Sequence, residues 1–575
     1  MLKCSRTPAG AVFYHTIVIR TKDYMKKLTR PIAKKAAASK PAPPKAKKPV
    51  SKSKPVPVKK APVAKKTVPV AKKPAPAAKK PVPVEKPPVV VVKKAPMPAA
   101  PPAAPKAPKA APSAPISVWE DDPESGLKTV KRPSPTLTLG PLPVEITGPA
   151  PKPAIYPTGT PNFRYWTAAD ALRRTRDLWK THMPEGAVWH DGHPLKVELD
   201  AGQDLNAYYD RKSLSFYHAK SNGRVIYACE SADIVCHEFG HAVLDVLRPD
   251  LWDACLDEVA SFHEAFGDLS AILSALQLQS VREAVIKETS GHLYHDSIVS
   301  RMAEQFGKAL HGINPHAAPP NCLRNAVNLF FYHDPMHLPP SAPETTLSSE
   351  PHSFSRLFTG AFFEAMAGML SVHSKNPTQQ DLLQVANDAT TLLVKGTRTA
   401  ALSAAFFSEV AAQIIWAEAP LFNGKYEEAL RSAFVRRGIL SLDAVRSLKA
   451  EALRALTAKP GTGTDDMPRG RDMMMRASSF GLGEGALVVR TASFSRRGAI
   501  APSALDSGST PVPGVEQATQ AFLETLFRRG RVDFSQAKPG ISAVTHSQVR
   551  RKTHYIIEQN GQFHLRRRCF DESAD

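Results

Sequence analysis

Residues 237–241 read His-Glu-Phe-Gly-His. On a helix, His237 and His241 lie about one turn apart and project from one face. Two imidazoles can then grip a single Zn²⁺ while Glu238, between them, points at a water on that metal. Catalytic zinc takes three protein ligands and keeps one position open. The segment His-Glu-Ala-Phe-Gly-Asp at 263–268 offers Glu264 as the third ligand, with Asp268 four residues on and so on the same helical face. Asp268 can accept the second N–H of a ligating histidine and fix its tautomer. Ala260, Phe262, Phe266, Leu269 and Leu273 make this helix mostly apolar, and a carboxylate on a buried helix is costly without a partner. A metal and a metal-bound imidazole are such partners. The bland alternative places both carboxylates on a solvent face. Glu258 is a rival third ligand, but it lacks the following acid in register. The chemistry expected is hydrolysis by a zinc-activated water, with Glu238 as general base.

These residues need helices to position them. Apolar residues at three- and four-residue spacing predict helices over 167–181, 232–247, 256–278, 297–309, 353–372, 380–396, 402–418, 424–437 and 441–456. Short strands are expected at Leu195–Leu199, Asn206–Tyr209, Leu214–Tyr217 and Arg224–Tyr227. Gly240 disfavours its helix by about 1 kcal/mol relative to Ala, which close approach of a neighbouring element would explain. The fold class expected is α+β. A folded region over 161–457 has a short mixed N-terminal lobe and a mainly helical C-terminal lobe. Residues 1–25 are unassigned, 116–160 read as a Pro-rich connector, 458–490 as a linker, and 491–575 as a small α+β appendage with a helix over 515–529.

With these motifs the chain resembles thermolysin and the wider gluzincin metallopeptidases. The matching residues are His237, Glu238 and His241, then Glu264 and Asp268 in a context similar to that family's Asn-Glu-Ala-x-Ser-Asp. Asp233, four before His237, matches a family aspartate and is grouped with Asp268 as support for the ligands. Asn206-Ala207-Tyr208-Tyr209 resembles the edge strand on which these enzymes bind a peptide. The resemblance implies that the Asn206 side chain and the Ala207 carbonyl contact the substrate backbone. It also implies that His352, in Pro-His-Ser-Phe-Ser, donates a hydrogen bond to the oxyanion of a tetrahedral intermediate. The chain departs from the family in four respects. Residues 242–263 contain no tyrosine, His263 replaces the usual asparagine, and Ala275 stands where a calcium ligand would fall, which speaks against the family's paired Ca²⁺ site. The stretch from 120 to 230 is also too short for a full N-terminal β domain with a propeptide.

The net charge of +23 looks at first like that of a nucleic-acid binder. However, residues 26–112 hold 24 Lys and Arg and one acid, Glu85, while the rest of the chain has 52 basic and 52 acidic residues. The basicity belongs to one tract. Its Lys/Pro/Ala/Val composition, with the loose repeat KKPAPAAKKPVPV at 72–84, predicts a disordered segment over 26–115 with polyproline II character. That tract suits electrostatic binding of a polyanion, either nucleic acid or a cell-surface polymer, or serves as a solvated spacer. Without interleaved aromatics it does not support base stacking.

Six cysteines and no CxxC pair argue for reduced thiols and a cytoplasmic setting. The apolar run Ala9–Ile19, with His15 in it and no small-x-small site after it, is a poor signal peptide, so secretion is the alternative. No apolar run reaches the roughly 18 residues of a membrane span. Two functions follow from the sequence. One is a zinc endopeptidase acting on a peptide or protein. The other is a catalytically weak or inactive zinc scaffold tethered to polyanions by its tail.

Overall fold

The computed structural model describes residues 114–221, 223–445, 470–493, 514–537 and 552–571. The basic tract of 26–112, the unassigned first 25 residues and most of the helix expected over 441–456 lie outside them. The fold is mixed α and β. Residues 116–160, expected as a connector, form β1 (Pro115–Trp119), β2 (Thr129–Pro133) and β3 (Val144–Ile146). Their prolines obscure the pattern. Pro115 and Pro133 sit opposite each other at the end of the β1–β2 hairpin, where a missing N–H breaks no interior ladder. Ile116 and Val118 are fully buried.

Helix α1 (Pro161–Trp179) starts where Thr160 accepts from the Phe163 N–H and proline takes the first turn. Then come β4 (Leu195–Glu198), β5 (Ala207–Tyr209), β6 (Ser213–Phe216) and the hairpin of β7 (His218–Ser221) and β8 (Arg224–Tyr227). The main sheet runs β5-β6-β4-β3, and its fifth strand, beside β5, is supplied by Phe570–Asp571.

The centre of the molecule is the pair α2 (Ala232–Leu247) and α3 (Asp257–Ala275). Two glycines set their approach. A Cβ on Gly240 would lie 2.7 Å from the Ser270 Cβ, and one on Gly267 would lie 2.6 Å from the His237 ring. The helix-unfavourable Gly240 is thus a close-approach site. Next are α4 (Gln279–Thr289), β9 (Arg301–Met302), α5 (Glu304–Ile313) and β10 (Arg324–Asn325). The helix expected from 297 begins only at Glu304, because Ser297–Ser300 form a hydrogen-bonded turn and Arg301–Met302 pair with β10. The long helices α6 (Pro351–His373), α7 (Gln379–Thr399) and α8 (Phe406–Phe422), with α9 (Glu427–Arg436), complete the helical lobe.

The expected linker, 458–490, instead contains β11 (Arg471–Arg476) and all but the last residue of β12 (Ala486–Thr491). They join α10 (Val515–Arg528), β13 (Val532–Asp533), β14 (His554–Gln559) and β15 (Gln562–Arg567). The resulting sheet has the order β11-β12-β15-β14-β13. Its core of Leu487, Val489, Leu523, Ile556 and Leu565 packs with Cys255 and Ala260, next to and on α3. The chain then ends its described course in β16 (Phe570–Asp571). Among the described residues no helix is long and apolar enough to cross a membrane. The described cysteines, Cys229, Cys236, Cys255, Cys322 and Cys569, are unpaired and buried.

Candidate metal centre

The four-residue spacing on α2 brings the His237 and His241 rings to 4.8 Å between centroids, nearly perpendicular. From α3, Glu264 Oε2 lies 3.4 Å from His237 Nε2 and 3.7 Å from His241 Nε2. One donor atom from each of the three lies within 4.8 Å of the others, and all three side chains are buried. Two donors held about 2.1 Å from one tetrahedral zinc stand about 3.4 Å apart. The donor set therefore fits Zn²⁺ in both chemistry and spacing. Glu238, the residue after His237, is completely buried.

The shell behind the donors fixes them. Asp268 lies 3.1 Å from His237 Nδ1. It also accepts from Arg324 Nε at 3.0 Å and Nη2 at 2.7 Å, and from the Thr359 hydroxyl at 3.3 Å. Burial alone would raise the Asp268 carboxyl, but Arg324 and His237 outweigh it and hold it below the usual carboxylate range. With its proton on Nδ1, His237 would donate a hydrogen bond to ionised Asp268 and leave Nε2 with its lone pair toward the group.

The second imidazole is oriented differently. His241 Nδ1 lies 3.3 Å from His263 Nδ1. Burial first, then the nearby His241 and Arg567, push the His263 pKa well below the ordinary value, so its ring is neutral. If His241 Nδ1 donates, His263 Nδ1 accepts and carries its own proton on Nε2. In that tautomer His263 would orient His241.

His352 comes from the first turn of α6. Its Nδ1 lies 2.8 Å from Glu350 Oε1, and its Nε2 lies 3.2 Å from Glu264 Oε2. Glu350 caps that helix by accepting from the Ser353 N–H. Burial would lower the His352 pKa, but Glu264 and Glu350 raise it well above the ordinary value. Asn206 is buried at the start of β5, and both polar atoms of its side chain lack a hydrogen-bond partner among the described residues. Ala207 is buried on β5 itself. Glu258, the rival third ligand, is turned to other work. It accepts from the Tyr332 hydroxyl at 2.6 Å and the Phe407 N–H at 2.8 Å, and burial pushes it up to about 8.

No family model matches this chain, and no curated protein matches it.

Asp233 is not placed against an imidazole. Its Oδ2 accepts from the Ala303 N–H at 2.9 Å. It belongs to a second buried group, with Asp122 and Glu304, whose spacing could also hold a cation. Its other members, Asp122 after β1 and Glu304 at the start of α5, carry no local sequence signal. Two further residues escaped it. Arg324 has no local signal, since only the fold brings it to Asp268. Phe570 stacks on His263 at 4.0 Å between centroids and on His241 at 5.0 Å. It lay in an appendage with no catalytic motif.

Proposed function

We propose that this protein is a zinc-dependent endopeptidase built on a thermolysin-like core. The observation that supports the proposal is that His237 Nε2 and His241 Nε2 lie 3.4 and 3.7 Å from one Glu264 oxygen, with Glu238 next in sequence to His237 and buried. Bound zinc supplies Lewis acidity and brings the pKa of its water near 7. Glu238 takes the proton of the attacking water and returns it to the leaving amine. His352, held by Glu350, donates from Nε2 to the developing oxyanion. The unpartnered amide of Asn206 and the edge of β5 hold the substrate backbone in extended form. Arg324 acts through Asp268 and keeps His237 in its ligating tautomer.

The test is Glu238→Gln in the full chain. Zinc content should stay at the parent value while cleavage of a peptide library falls about 10²–10⁴-fold. Cleavage at the parent rate by that variant overturns the proposal. A second reading, a zinc scaffold without turnover and tethered to polyanions by residues 26–112, is favoured by the Phe570 ring on His241. It predicts a zinc-loaded chain that cleaves nothing.

A further inference from the structure

The edge of β5 that a peptide would use is already in use. β5 pairs with β6 on one side and with β16 on the other, antiparallel, with Phe570 opposite Tyr209 and Asp571 opposite Tyr208. This is strand addition carried out by the chain on itself. The side chains follow the backbone. The Phe570 ring lies flat on His263, tilted by 18°, and on His241, tilted by 20°. Trp252 packs edge-on against it at 5.3 Å. Cys569 and Phe570 share one cavity with Glu264 and His352.

The segment is fastened rather than loosely laid. The Arg567 N–H donates to Asp253 Oδ1 at 2.9 Å, and its Nε donates to the Trp252 carbonyl at 2.8 Å. Its guanidinium lies 4.1 Å from the Phe570 ring centroid. Arg568 pairs with Asp533 at 2.6 Å, and Arg531 with Asp571 at 3.4 Å. Asp533 and Arg531 belong to the C-terminal sheet unit and Asp253 and Trp252 to the loop before α3, so the segment is held from both sides. The ladder itself is only two residues long, so an extended peptide making a longer ladder can compete for the edge.

We infer that residues 567–571 are a built-in competitive inhibitor, a strand that covers the β5 edge and fills an aromatic subsite beside His241. This rests on the peptidase reading for its consequence, but not for the contact. The site is closed in the resting chain and opens when the strand lifts. What displaces it is an extended peptide carrying an aromatic side chain at the place of Phe570. Apparent affinity for such a peptide is reduced by the fraction of chains that are open.

The test uses the full chain carrying Glu238→Gln, so that binding is read without turnover. The probe is a fluorescein-labelled peptide of the sequence Arg-Arg-Ser-Phe-Asp-Glu-Ser-Ala-Asp, in which serine replaces the thiol. Adding Phe570→Ala and Arg567→Ala should tighten probe binding about tenfold or more at unchanged zinc content. Equal affinity with and without these substitutions overturns the inference. Should the substituted chain lose zinc, hydrogen exchange on the unsubstituted chain decides instead. A saturating probe should speed exchange across 567–571, and unchanged protection overturns the inference. With Glu238 restored, Phe570→Ala should raise kcat/KM for peptide cleavage about tenfold. Tighter binding without any turnover leaves the covering strand standing and removes the peptidase reading alone.

Discussion

One turn of α2 separates Asp233 from His237, yet the two buried groups they join are built on opposite plans. The group at His237 alternates in sign and role: an imidazole against Asp268, Asp268 against Arg324, a second imidazole against neutral His263, and Glu264 facing His352. Each donor has a neighbour that sets its proton. The group at Asp233 gathers carboxylates. Burial first, then its acidic neighbours, push Glu304 up to about 10, and burial chiefly pushes Asp121 up to about 7, with Arg174 offsetting part of it. The first group is arranged to present lone pairs at one point. The second keeps its charge down by holding protons or sharing a cation.

His241→Ala should abolish stoichiometric zinc binding, read by atomic emission after dialysis, and should leave the Asp233 group intact. Retention of tight zinc would mean that the donors are misassigned. Asp268→Asn tests the supporting shell. It keeps the shape but replaces the acceptor, so zinc affinity should fall about 10–100-fold by competition with a chelator. An unchanged affinity would show that Asp268 only pairs with Arg324.

The helix contact comes next. A methyl on Gly267 meets the His237 ring at 2.6 Å. Gly267→Ala should cost about 1–3 kcal/mol in denaturant unfolding of the zinc-free chain, and it should weaken zinc binding. Neither change would be seen if α2 and α3 were further apart.

These three tests fall on features that differ in how far the sequence disclosed them. His237, His241, Glu264 and Asp268 were legible because helical spacing is local: four residues apart means one face. A close approach to α2 was legible in Gly240, because glycine disfavours a helix interior, but which element approaches was not. Arg324, 56 residues from Asp268, was not, because no pattern within 321–327 marks which arginine the fold will bury. Phe570 was less legible still. Its place on His241 depends on the C-terminal sheet, whose β11 and β12 carry a weak strand pattern, since Met473–Met475 lie among charged residues and the apolar face of β12 is short. The strands at 115–146 were masked by their prolines, which sit at strand ends and in loops rather than in ladders.

The smallest effect sharpens the acidic half of the comparison. Asp121 and Glu304 bind protons more tightly when folded than at their ordinary values near 4. The stability they lend is full below about pH 4 and is lost as pH rises, through about 7 for Asp121 and toward about 10 for Glu304. Glu304→Gln, which carries no charge, should therefore gain stability over the parent as pH goes from 5.5 to 8.5 in chelator, read as the difference in Tm. Parallel curves for the two chains would contradict the assignment.

The proposed centre is a zinc ion held by two imidazoles and one carboxylate. X-ray absorption at the zinc edge of the full chain tests it most directly. One zinc per chain with only nitrogen and oxygen scatterers, at about 2.0–2.2 Å, is expected. A sulfur shell at about 2.3 Å, placing a cysteine on the metal, would contradict it.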